Sequence, residues 1–329
     1  MSPVRDQDRL QKFLELLKNP ESGYASGQWL AKQAGISRSA VWKQVQNLRQ
    51  HGYVVESLHG KGYNFSSSTE YPVPWELCKL IRTSIIGKGI MIYRKSADST
   101  QNIALSLAAK ENSVGAVVIA EQQSGGRGRM KRKWVSPKGG IWLSVVLKPS
   151  IPTAASTMLP FAAAVAVADA LSTTGLDPEL KWPNDVMVGG KKVAGILLDL
   201  SAEAETVNYA VIGIGINANV DTAKIKIDRE GRPPITSIKE ELGRDVNRLH
   251  LTVTLLEKLE HYGQILERDP LSIIAEWRTR SGMIGKNVTV VQQGKEIRGV
   301  AADINDDGSL LVRTRQGDVN VVSGDVTII

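Results

Sequence analysis

The segment ELKWPNDVMVGGKKVAGILLDLS, residues 179–201, contains two apolar runs separated by the glycine pair Gly189 and Gly190. A Gly-Gly pair is one of the favoured two-residue turns between antiparallel strands. The segment therefore predicts a β-hairpin. The next apolar run, NYAVIGIGINANV at residues 208–220, predicts a further strand after another short link. Because links this short join antiparallel neighbours, the sequence predicts a mixed or antiparallel sheet instead of a parallel doubly wound one.

The residues before this hairpin complete an α/β domain. From Leu77 onward, apolar residues at helical spacing alternate with runs of β-branched residues. The predicted helices are STQNIALSLAAKE (residues 99–111) and FAAAVAVADALSTTG (161–175), and the predicted strands are GAVVIAE (115–121) and GIWLSVVLKP (140–149). Polar residues interrupt the apolar pattern at Ser99 and Thr100, in the stretch before Trp134, and in the motif KWPND.

The Gly/Arg loop, residues 124–134 (SGGRGRMKRKW), places a cluster of cations beside three glycines. The cations Arg127, Arg129, Lys131, Arg132 and Lys133 repel one another, and the glycines reduce the stiffness of the backbone. A bound anion would offset both costs, and a nucleic acid or a nucleotide phosphate fits this role. The alternative interpretation is a solvated surface loop with scattered cations.

The first 65 residues predict three helices followed by a β-hairpin. The opening segment has apolar residues at the helical spacing i, i+3, i+4 and i+7, and the helix is expected to end at Asn19 and Pro20. Residues 26–52, SGQWLAKQAGISRSAVWKQVQNLRQHG, predict two helices around a tight turn at Gly35, with Ser37 capping the second. The residues expected to be buried are Leu10, Phe13, Leu14, Leu17, Val41, Val45 and Leu48.

The opposite face of the second of these two helices carries polar and basic side chains that suit phosphates and base edges in a major groove. The segment YVVESLHGKGYNF, residues 53–65, adds a basic β-hairpin, or wing. This order resembles a winged helix-turn-helix DNA-binding domain. The alternative is a three-helix module used for dimerisation or packing. The predicted DNA-binding residues are Ser37, Arg38, Ser39, Lys43, Gln46, Asn47 and, on the wing, Lys61.

The C-terminal part changes from helix to strand. Residues 251–269 have helical spacing, whereas the chain from Gly282 onward reads as short alternating strands with glycine turns, which predicts a small β-barrel. The fold class is thus α+β and multidomain. The predicted domains are a winged helix-turn-helix at residues 1–65, a linker at 66–76, a mixed-sheet α/β domain at 77–278 and a β module at 279–329.

Composition restricts the classes of function. The chain has 329 residues, 42% of them hydrophobic, and a net charge of +7, which leaves nucleic acid and phosphorylated small molecules open as partners. No window was expected to approach a membrane span and the N-terminus lacks the apolar core of a signal peptide, so we expect a cytoplasmic protein with no membrane partner. The single Cys78 and four histidines without ligand spacing argue against a structural zinc site.

Two short motifs carry little weight, and a third motif, the P-loop, is absent from the sequence. GIGINA, residues 213–218, fits a dinucleotide pattern, but no helix is predicted to open there. DINDDG, residues 303–308, copies the start of a calcium loop, but Thr314 stands where that loop needs glutamate, so we expect a β-turn. The sequence contains no P-loop, and a bound ATP must therefore use another scheme.

Five separated motifs match one family in order. DST, GGRGR with a following KW, KWPND, KKVAGIL and GIGIN occur as in the catalytic domain of biotin protein ligases. Behind a winged helix, they resemble the bifunctional biotin ligase and biotin-operon repressor of bacteria, over nearly the whole chain. The resemblance implies a ligase domain and a C-terminal SH3-like domain.

The resemblance also implies chemistry and partners. It implies an enzyme that makes biotinyl-5′-AMP from biotin and Mg-ATP and passes biotin to a lysine of the biotin carboxyl carrier protein. When the carrier is scarce, the adenylate-bound protein is expected to form a homodimer that binds operator DNA of biotin genes. ATP, Mg²⁺ and biotin are therefore the expected ligands, and no Mg²⁺ ligands are assigned.

By the same resemblance, Lys192, Arg129 and Asp185 are the catalytic residues. Lys192 would face the reacting carboxylate and α-phosphate, and Asp185 would orient or deprotonate the acceptor lysine. Their alternative interpretations are a solvated hairpin lysine and a carboxylate that bonds backbone in the turn after Pro183. The residues implied to bind biotin or the adenylate are Ser99, Thr100, Gln101, Gln123, Arg127, Gly128, Arg129, Trp134, Lys192, Gly195 and Asn217.

Three other functions stay open at this point. One is a biotin-sensing transcriptional repressor without catalysis, and another is a lipoate ligase of the same architecture. The lipoate hypothesis is weaker because the polar loops of the middle domain contain no histidine. The third is a working ligase whose winged helix no longer recognises an operator.

Overall fold

The computed structural model describes residues 3–18, 23–225, 233–292 and 294–329. The packing of the chain divides it into two compact units, Met1–Leu80 with Asn247–His250, and Ile81–Val246 with Leu251–Ile329. The second unit contains both the mixed sheet and the C-terminal β module. The domain limits inferred from sequence stay predictions.

The first unit has the predicted order of three helices and a hairpin. The predicted helix end at Asn19 and Pro20 lies outside the described residues, and the described part of the first helix ends at Lys18. The predicted linker overlaps the end of the second strand and the start of a fourth helix. The elements are α1 (Pro3–Lys18), α2 (Gly27–Ala34), α3 (Arg38–Gln50), β1 (Val54–Leu58), β2 (Gly62–Ser67) and α4 (Pro74–Leu80).

Local chemistry explains these boundaries. The hydroxyl oxygens of Ser26 and Ser37 accept hydrogen bonds from backbone N–H groups in the first turns of α2 and α3, as helix N-caps do. Gly35 ends α2 in a left-handed conformation with φ of 62°. Strands β1 and β2 pair antiparallel. The residues predicted to form the core, Leu10, Phe13, Leu14, Leu17, Val41, Val45 and Leu48, are all buried.

The second unit is built on a mixed seven-stranded sheet, as predicted. Its order is β3-β4-β5-β9-β8-β7-β6, in which β3 and β4 are parallel and all other neighbours are antiparallel. The sequence did not predict β3 and β6, which are too short to show periodicity. The strands are β3 (Met91–Arg94), β4 (Val117–Ala120), β5 (Ile141–Leu147), β6 (Glu179–Lys181), β7 (Asp185–Val188), β8 (Lys191–Glu203) and β9 (Thr206–Ile216).

The second unit also contains helices, two of which pack on this sheet. Helix α5 packs against β4, β5 and β9, and α6 packs against β6, β7, β8 and β9. The first three residues of α8 belong to the first unit. The helices are α5 (Thr100–Ala108), α6 (Leu159–Ser172), α7 (Ile238–Leu242), α8 (Arg248–Arg268) and α9 (Pro270–Thr279).

The predicted hairpin between β7 and β8 is present and contains a bulge. Gly189 and Gly190 have φ of 55° and 75°, and two positive φ values in a two-residue link are typical of a type I′ turn. Met187 lies opposite Lys192 and Val186 lies opposite Ala194, so β8 has one extra residue between these pairs. Because side chains alternate between faces, this extra residue moves Lys192 to the face of the sheet that holds Asp185.

The C-terminal strands form an antiparallel sheet in the order β13-β12-β11-β10-β14. DINDDG comprises the last two residues of β11 and the turn before β12, and Asp307 in that turn accepts a hydrogen bond from the backbone N–H of Ser309. No group of three metal-ligating side chains occurs within the described ranges. The strands are β10 (Asn287–Gln292), β11 (Lys295–Ile304), β12 (Leu310–Thr314), β13 (Gly317–Val321) and β14 (Asp325–Ile328).

The expectation that no segment has the length and apolar character of a membrane span was wrong. The segment Thr153–Ser172, which includes α6, has the length and mean hydropathy of a membrane span. However, 72% of that window is buried inside the protein. Packing against four strands of the sheet accounts for its apolar character, as in the core helix of a globular domain.

Candidate active site

A row of facing residues crosses the mixed sheet and forms the floor of the site. Gly215 lies opposite Trp142 and Gly195, and Asp185 lies opposite Gly195 and Lys181. Residues directly opposite in paired strands point to the same face. The side chains of Asp185 and Lys181 therefore stand on one face, beside a bare patch left by the two glycines.

The indole ring of Trp134 lies over this bare patch. A Cβ atom added to Gly215 would be 2.5 Å from Trp134 Nε1, and one added to Gly195 would be 3.0 Å from Trp134 Cζ3. Trp134 also packs edge-to-face on Trp142, with ring centroids 6.4 Å apart. Its Nε1–H is buried without a hydrogen-bond partner among the described residues. The glycine at position 215 of the motif GIGIN thus makes room for an aromatic ring.

The bulge in β8 brings together two of the three predicted catalytic residues, Lys192 and Asp185. Lys192 Nζ lies 2.5 Å from Asp185 Oδ1 and 5.0 Å from the centroid of the Trp134 ring. The side chains of Lys192 and Asp185 are 20% and 16% exposed. The structure therefore pairs Lys192 with a carboxylate in the site, where the alternative interpretation had a solvated hairpin lysine.

The Gly/Arg loop is fixed at its first two arginines by polar contacts. Arg127 donates to Asp199 at 2.9 Å, and Arg129 donates to Asn184 at 3.3 Å. Burial lowers the pKa of Arg129, although nearby carboxylates oppose this effect. These contacts argue against a loop of scattered, solvated cations.

Arg132 connects the same loop to the C-terminal sheet through an ion pair with Asp325. Its guanidinium donates to both carboxylate oxygens of Asp325 at the start of β14, with an Nη1–Oδ1 distance of 2.8 Å. This hydrogen bond lowers the pKa of Asp325. A residue almost 200 positions away in the chain therefore contributes to the wall of the cleft, and no sequence motif predicted this contact.

A cluster of hydroxyl and amide groups lies at the N-terminal end of α5. The backbone N–H of Thr100 donates to Gln123 Oε1 at 2.7 Å, and Gln123 Nε2 donates to Ser136 Oγ at 2.8 Å. The hydroxyl of Thr100 is 2.9 Å from that of Ser144. Ser99 is 1% exposed, and its side chain does not cap α5. This polar end of the cleft is the part predicted to hold the biotin ring system.

Gln101 is 3% exposed, and its side-chain amide is used within the protein. Its Nε2 donates to Asp199 at 3.0 Å and to the carbonyl of Val211 at 2.9 Å, while its Oε1 accepts from Ser144. A Cβ atom at Gly213 would be 2.5 Å from that Oε1. Gln101 therefore supports the neighbouring groups through its own hydrogen bonds, and a contact between Gln101 and biotin stays a prediction.

These groups surround one cleft with a volume of about 640 Å³. Asn217 lies in its wall, and its Nδ2 donates to the carbonyl of Thr236 at 2.9 Å. All predicted catalytic and ligand-binding residues line this cleft: Ser99, Thr100, Gln101, Gln123, Arg127, Gly128, Arg129, Trp134, Asp185, Lys192, Gly195 and Asn217. Further lining residues, to which the motifs gave no specific role, include Arg132, Ser144, Lys181, Gly213, Gly215 and Asp325.

The first unit carries the predicted DNA-binding residues on and beside α3. The exposed residues are Ser37, Arg38, Ser39, Lys43 and Lys61, and the partly exposed ones are Gln46 and Asn47. The ammonium of Lys61 on the wing lies 5.9 Å from the ring centroid of Tyr24. Trp42, which is not among the predicted DNA-binding residues, is 56% exposed on α3 one turn after Arg38.

Comparison with known proteins gives three family matches. The biotin/lipoate A/B protein ligase family matches residues 93–217, an HTH domain matches residues 9–64, and a biotin protein ligase C terminal domain matches residues 283–328. The three matches follow the order of elements described above.

Individual proteins match along nearly the whole chain. The bifunctional ligase/repressor BirA of Bacillus spizizenii is 33% identical over 319 residues, 96% of this chain and 97% of that protein. BirA of Escherichia coli is 31% identical over 315 residues, 94% of each chain. The structure of biotin protein ligase from Aquifex aeolicus in complex with biotin and ATP is 28% identical with a TM-score of 0.62, over 73% of this chain and 98% of that one. The resemblance inferred from the motifs is confirmed, and the chain belongs to the family of bifunctional biotin ligase/repressors.

Proposed function

We propose that this protein joins biotin to ATP, forming biotinyl-5′-AMP and pyrophosphate, and then transfers biotin to a lysine of the biotin carboxyl carrier protein. The observation that carries this proposal is a cluster of three side chains. Lys192 pairs with Asp185 and lies beside the ring of Trp134, the last residue of the Gly/Arg loop, which covers the bare glycine patch. The ring and cations suit a nucleotide, and the polar end of the cleft suits a neutral ring system.

In the first step, a carboxylate oxygen of biotin attacks the α-phosphorus of ATP. Both reactants are anions, so the site must neutralise charge and align them. Lys192 supplies a point charge beside the carboxylate and the α-phosphate, and Arg127 and Arg129 supply donors over them. Since Lys192 already pairs with Asp185, its ammonium is held in the site before the substrates arrive.

The flat ring of Trp134 would cover the adenosine end of the nucleotide. Its buried Nε1–H has no partner among the described residues, which suits a ligand that brings a hydrogen-bond acceptor. Ser99, Thr100 and Gln123 would hold the biotin ring system at the opposite end. Their hydroxyl and amide groups match the polar atoms of that ring system.

In the second step, the amine of the acceptor lysine attacks the carbonyl carbon of biotinyl-AMP, and AMP leaves. The amine must lose a proton to act as a nucleophile. Asp185 is the carboxylate that faces the site from the floor and can orient the amine or accept that proton. Lys192 would stabilise the charge that develops on the leaving phosphate.

Mg²⁺ enters with ATP as part of the substrate. The described ranges contain no group of three metal-ligating side chains, and Asp185 and Asp325 in the cleft are each paired with a cation. Mg²⁺ usually keeps several waters and binds through phosphates with one or two carboxylates. By that general pattern the phosphates would provide most of its ligands. No Mg²⁺ ligands of the chain are assigned.

The winged helix makes the ligase a repressor as well. The basic face of α3 would enter the major groove of operator DNA of biotin genes, with Lys61 of the wing on a phosphate. Retained biotinyl-AMP would favour a homodimer, whose two winged helices match a two-fold operator. Because both activities need partners found in the cytoplasm, the carrier and the operator, we infer a cytoplasmic protein.

The test is to incubate the purified protein with biotin and Mg-ATP, without carrier, and to measure pyrophosphate release and the mass of the bound product. Bound biotinyl-AMP is the expected result. A folded protein that binds biotin but forms no product would instead support a sensor without catalysis. Lipoate in place of biotin tests the lipoate hypothesis in the same assay.

A further inference from the structure

Lys181 is a buried cation in the cleft that the proposed mechanism has not used. It is the last residue of β6, lies opposite Asp185 in the sheet, and is 7% exposed. Its side chain lines the same cleft as Lys192 and Trp134. Burial of a lysine is costly unless a partner compensates its charge.

The other partly buried cations of the cleft have direct partners, and Arg129 donates to the amide oxygen of Asn184. Lys192 pairs with Asp185, and Arg132 pairs with Asp325. Within the described residues, Lys181 makes neither an ion pair nor a side-chain hydrogen bond with another residue. Burial lowers the pKa of Lys181, and the neighbouring Asp185 and Asp325 only partly oppose this effect. The fold therefore keeps a desolvated ammonium facing a cleft without a direct partner.

The position of Lys181 indicates which anion it meets. Along the floor, Trp134 covers Gly215 and Gly195, the Lys192–Asp185 pair follows, and Lys181 lies one strand beyond Asp185. Two strand spacings, or about 10 Å, separate Lys181 from Gly195. If the nucleotide ring lies on Trp134 and the α-phosphate at Lys192, the phosphates beyond it extend toward Lys181.

We propose that the ammonium of Lys181 binds the β- and γ-phosphates of ATP and stabilises the pyrophosphate leaving group. This inference rests on the proposed adenylation. In that step, a bond forms between the biotin carboxylate oxygen and the α-phosphorus, and the bond from the α-phosphorus to the bridging oxygen breaks. The electron pair stays on that oxygen, and Lys181 compensates the charge that accumulates there.

The proposed role of Lys181 predicts different effects on the two half-reactions. Pyrophosphate takes part in adenylate formation and in its reversal, but not in the transfer of biotin from biotinyl-AMP to the carrier. A Lys181→Met variant should slow adenylate formation by roughly 100-fold, comparable to the loss of one donor that stabilises transition-state charge. Its transfer rate from supplied biotinyl-AMP and its affinity for biotin should match those of the wild type.

The experiment compares wild type, Lys181→Met, Lys181→Arg and the control Lys191→Met. Lys191 is the neighbour of Lys192 on the same hairpin, pairs with Glu241 and does not line the cleft. Each protein is assayed for pyrophosphate release with biotin and Mg-ATP, for ATP formation from biotinyl-AMP and pyrophosphate, and for transfer from biotinyl-AMP to a carrier domain. We expect Lys181→Met to raise the KM for pyrophosphate at least tenfold, Lys181→Arg to recover part of this loss, and Lys191→Met to behave as wild type.

Three outcomes would overturn the inference or its basis. An unchanged KM for pyrophosphate in Lys181→Met, with wild type active, would remove the role of Lys181 and leave the ligase intact. Equal losses in both half-reactions would identify Lys181 as a structural residue. Absence of both half-reactions in the wild type would instead reject the proposed function. Met has a volume similar to that of Lys and no charge to desolvate, so the Lys181→Met variant should fold. If it does not fold, Lys181→Gln is assayed in the same way, and its KM for pyrophosphate decides whether Lys181 has the proposed role.

Discussion

Lys192 Nζ and Asp185 Oδ1 are 2.5 Å apart on one face of the mixed sheet. The relationship depends on the bulge in β8, which moves Lys192 to the face that Asp185 occupies. The pair holds an ammonium beside Trp134 before any anion is bound and keeps a carboxylate available at the same point. One pair can therefore serve the adenylation step through its cation and the transfer step through its anion.

Replacing Lys192 with alanine should greatly slow adenylation without unfolding the protein. The side chain is only partly buried, so its removal leaves no large cavity, and the expected loss in pyrophosphate release is about 100- to 1,000-fold. Biotin affinity, measured by calorimetry without ATP, should be nearly unchanged. Lys191→Ala is the matched control. Normal pyrophosphate release by Lys192→Ala would exclude Lys192 from the reaction.

Asp185→Asn should affect the second step more than the first. The amide keeps the shape of the side chain but cannot accept a proton, so transfer from supplied biotinyl-AMP to the carrier should slow by roughly 100-fold or more. Single-turnover transfer, followed by the mass of the carrier domain, measures this rate. If the transfer rate of Asp185→Asn equals that of the wild type, Asp185 acts only as the partner of Lys192.

Gly215→Ala should displace Trp134, because the added Cβ would be 2.5 Å from its Nε1. We expect a loss of ATP affinity with little change in biotin affinity, both measured by calorimetry. Gly263→Ala is the control: it lies in α8, and an added Cβ there would have nothing within 4 Å. That variant should be as stable as wild type, or more stable by up to about 1 kcal/mol, since alanine favours helix. Equal ATP affinity of both variants would contradict the proposed position of the nucleotide.

The Arg132–Asp325 pair should give a pH-dependent contribution to stability. Its hydrogen bond lowers the pKa of Asp325 in the folded state, so the contribution is present above the unfolded value of about 3.9 and is lost as pH falls through the folded value. Both side chains are more than one third exposed, so solvent screening limits the effect to at most about 1 kcal/mol.

Urea unfolding of wild type and Arg132→Met, at neutral pH and at pH values below the ordinary aspartate pKa, tests this prediction. The wild-type advantage in free energy of unfolding should shrink at the acid end. Arg313→Met, which removes the more exposed 3.3 Å pair with Asp318 in the same sheet, should show a smaller difference. An advantage that is constant with pH would show that Asp325 titrates normally.

Lys43→Ala should weaken DNA binding and reduce its salt dependence. A lysine that contacts one phosphate contributes about 0.9 to the slope of log affinity against log salt concentration. Titration of DNA from upstream of biotin genes with the adenylate-bound protein, over a range of salt, measures that slope. Lys295→Ala is an exposed control in the C-terminal sheet. Equal slopes for the two variants would exclude Lys43 from the DNA surface.

Several features followed from the sequence alone because they depend on local chemistry. Apolar spacing predicted α1, α2, α3 and the wing, and the Gly189–Gly190 pair predicted the hairpin that makes the sheet mixed. The motifs also predicted residues that the structure brings to one cleft, including Ser99, Gln123, Arg129 and Lys192. Such signals survive in a single sequence because caps, turns and periodic faces involve residues close together in the chain.

Tertiary structure decided the features that depend on register and on distant partners. The bulge that turns Lys192 toward Asp185 cannot be inferred from KKVAGIL, because one extra residue in a strand leaves no mark in its composition. The need for glycine at positions 195 and 215 is evident only in the fold, where Trp134 lies over them. Asp325 contacts Arg132 only because the C-terminal sheet folds beside the cleft. Lys181 looked like any polar residue in its motif until the fold buried it. Side-chain environments of this kind arise from contacts between residues far apart in the chain. The sequence therefore predicted most elements and many site residues, and the fold decided how those residues meet.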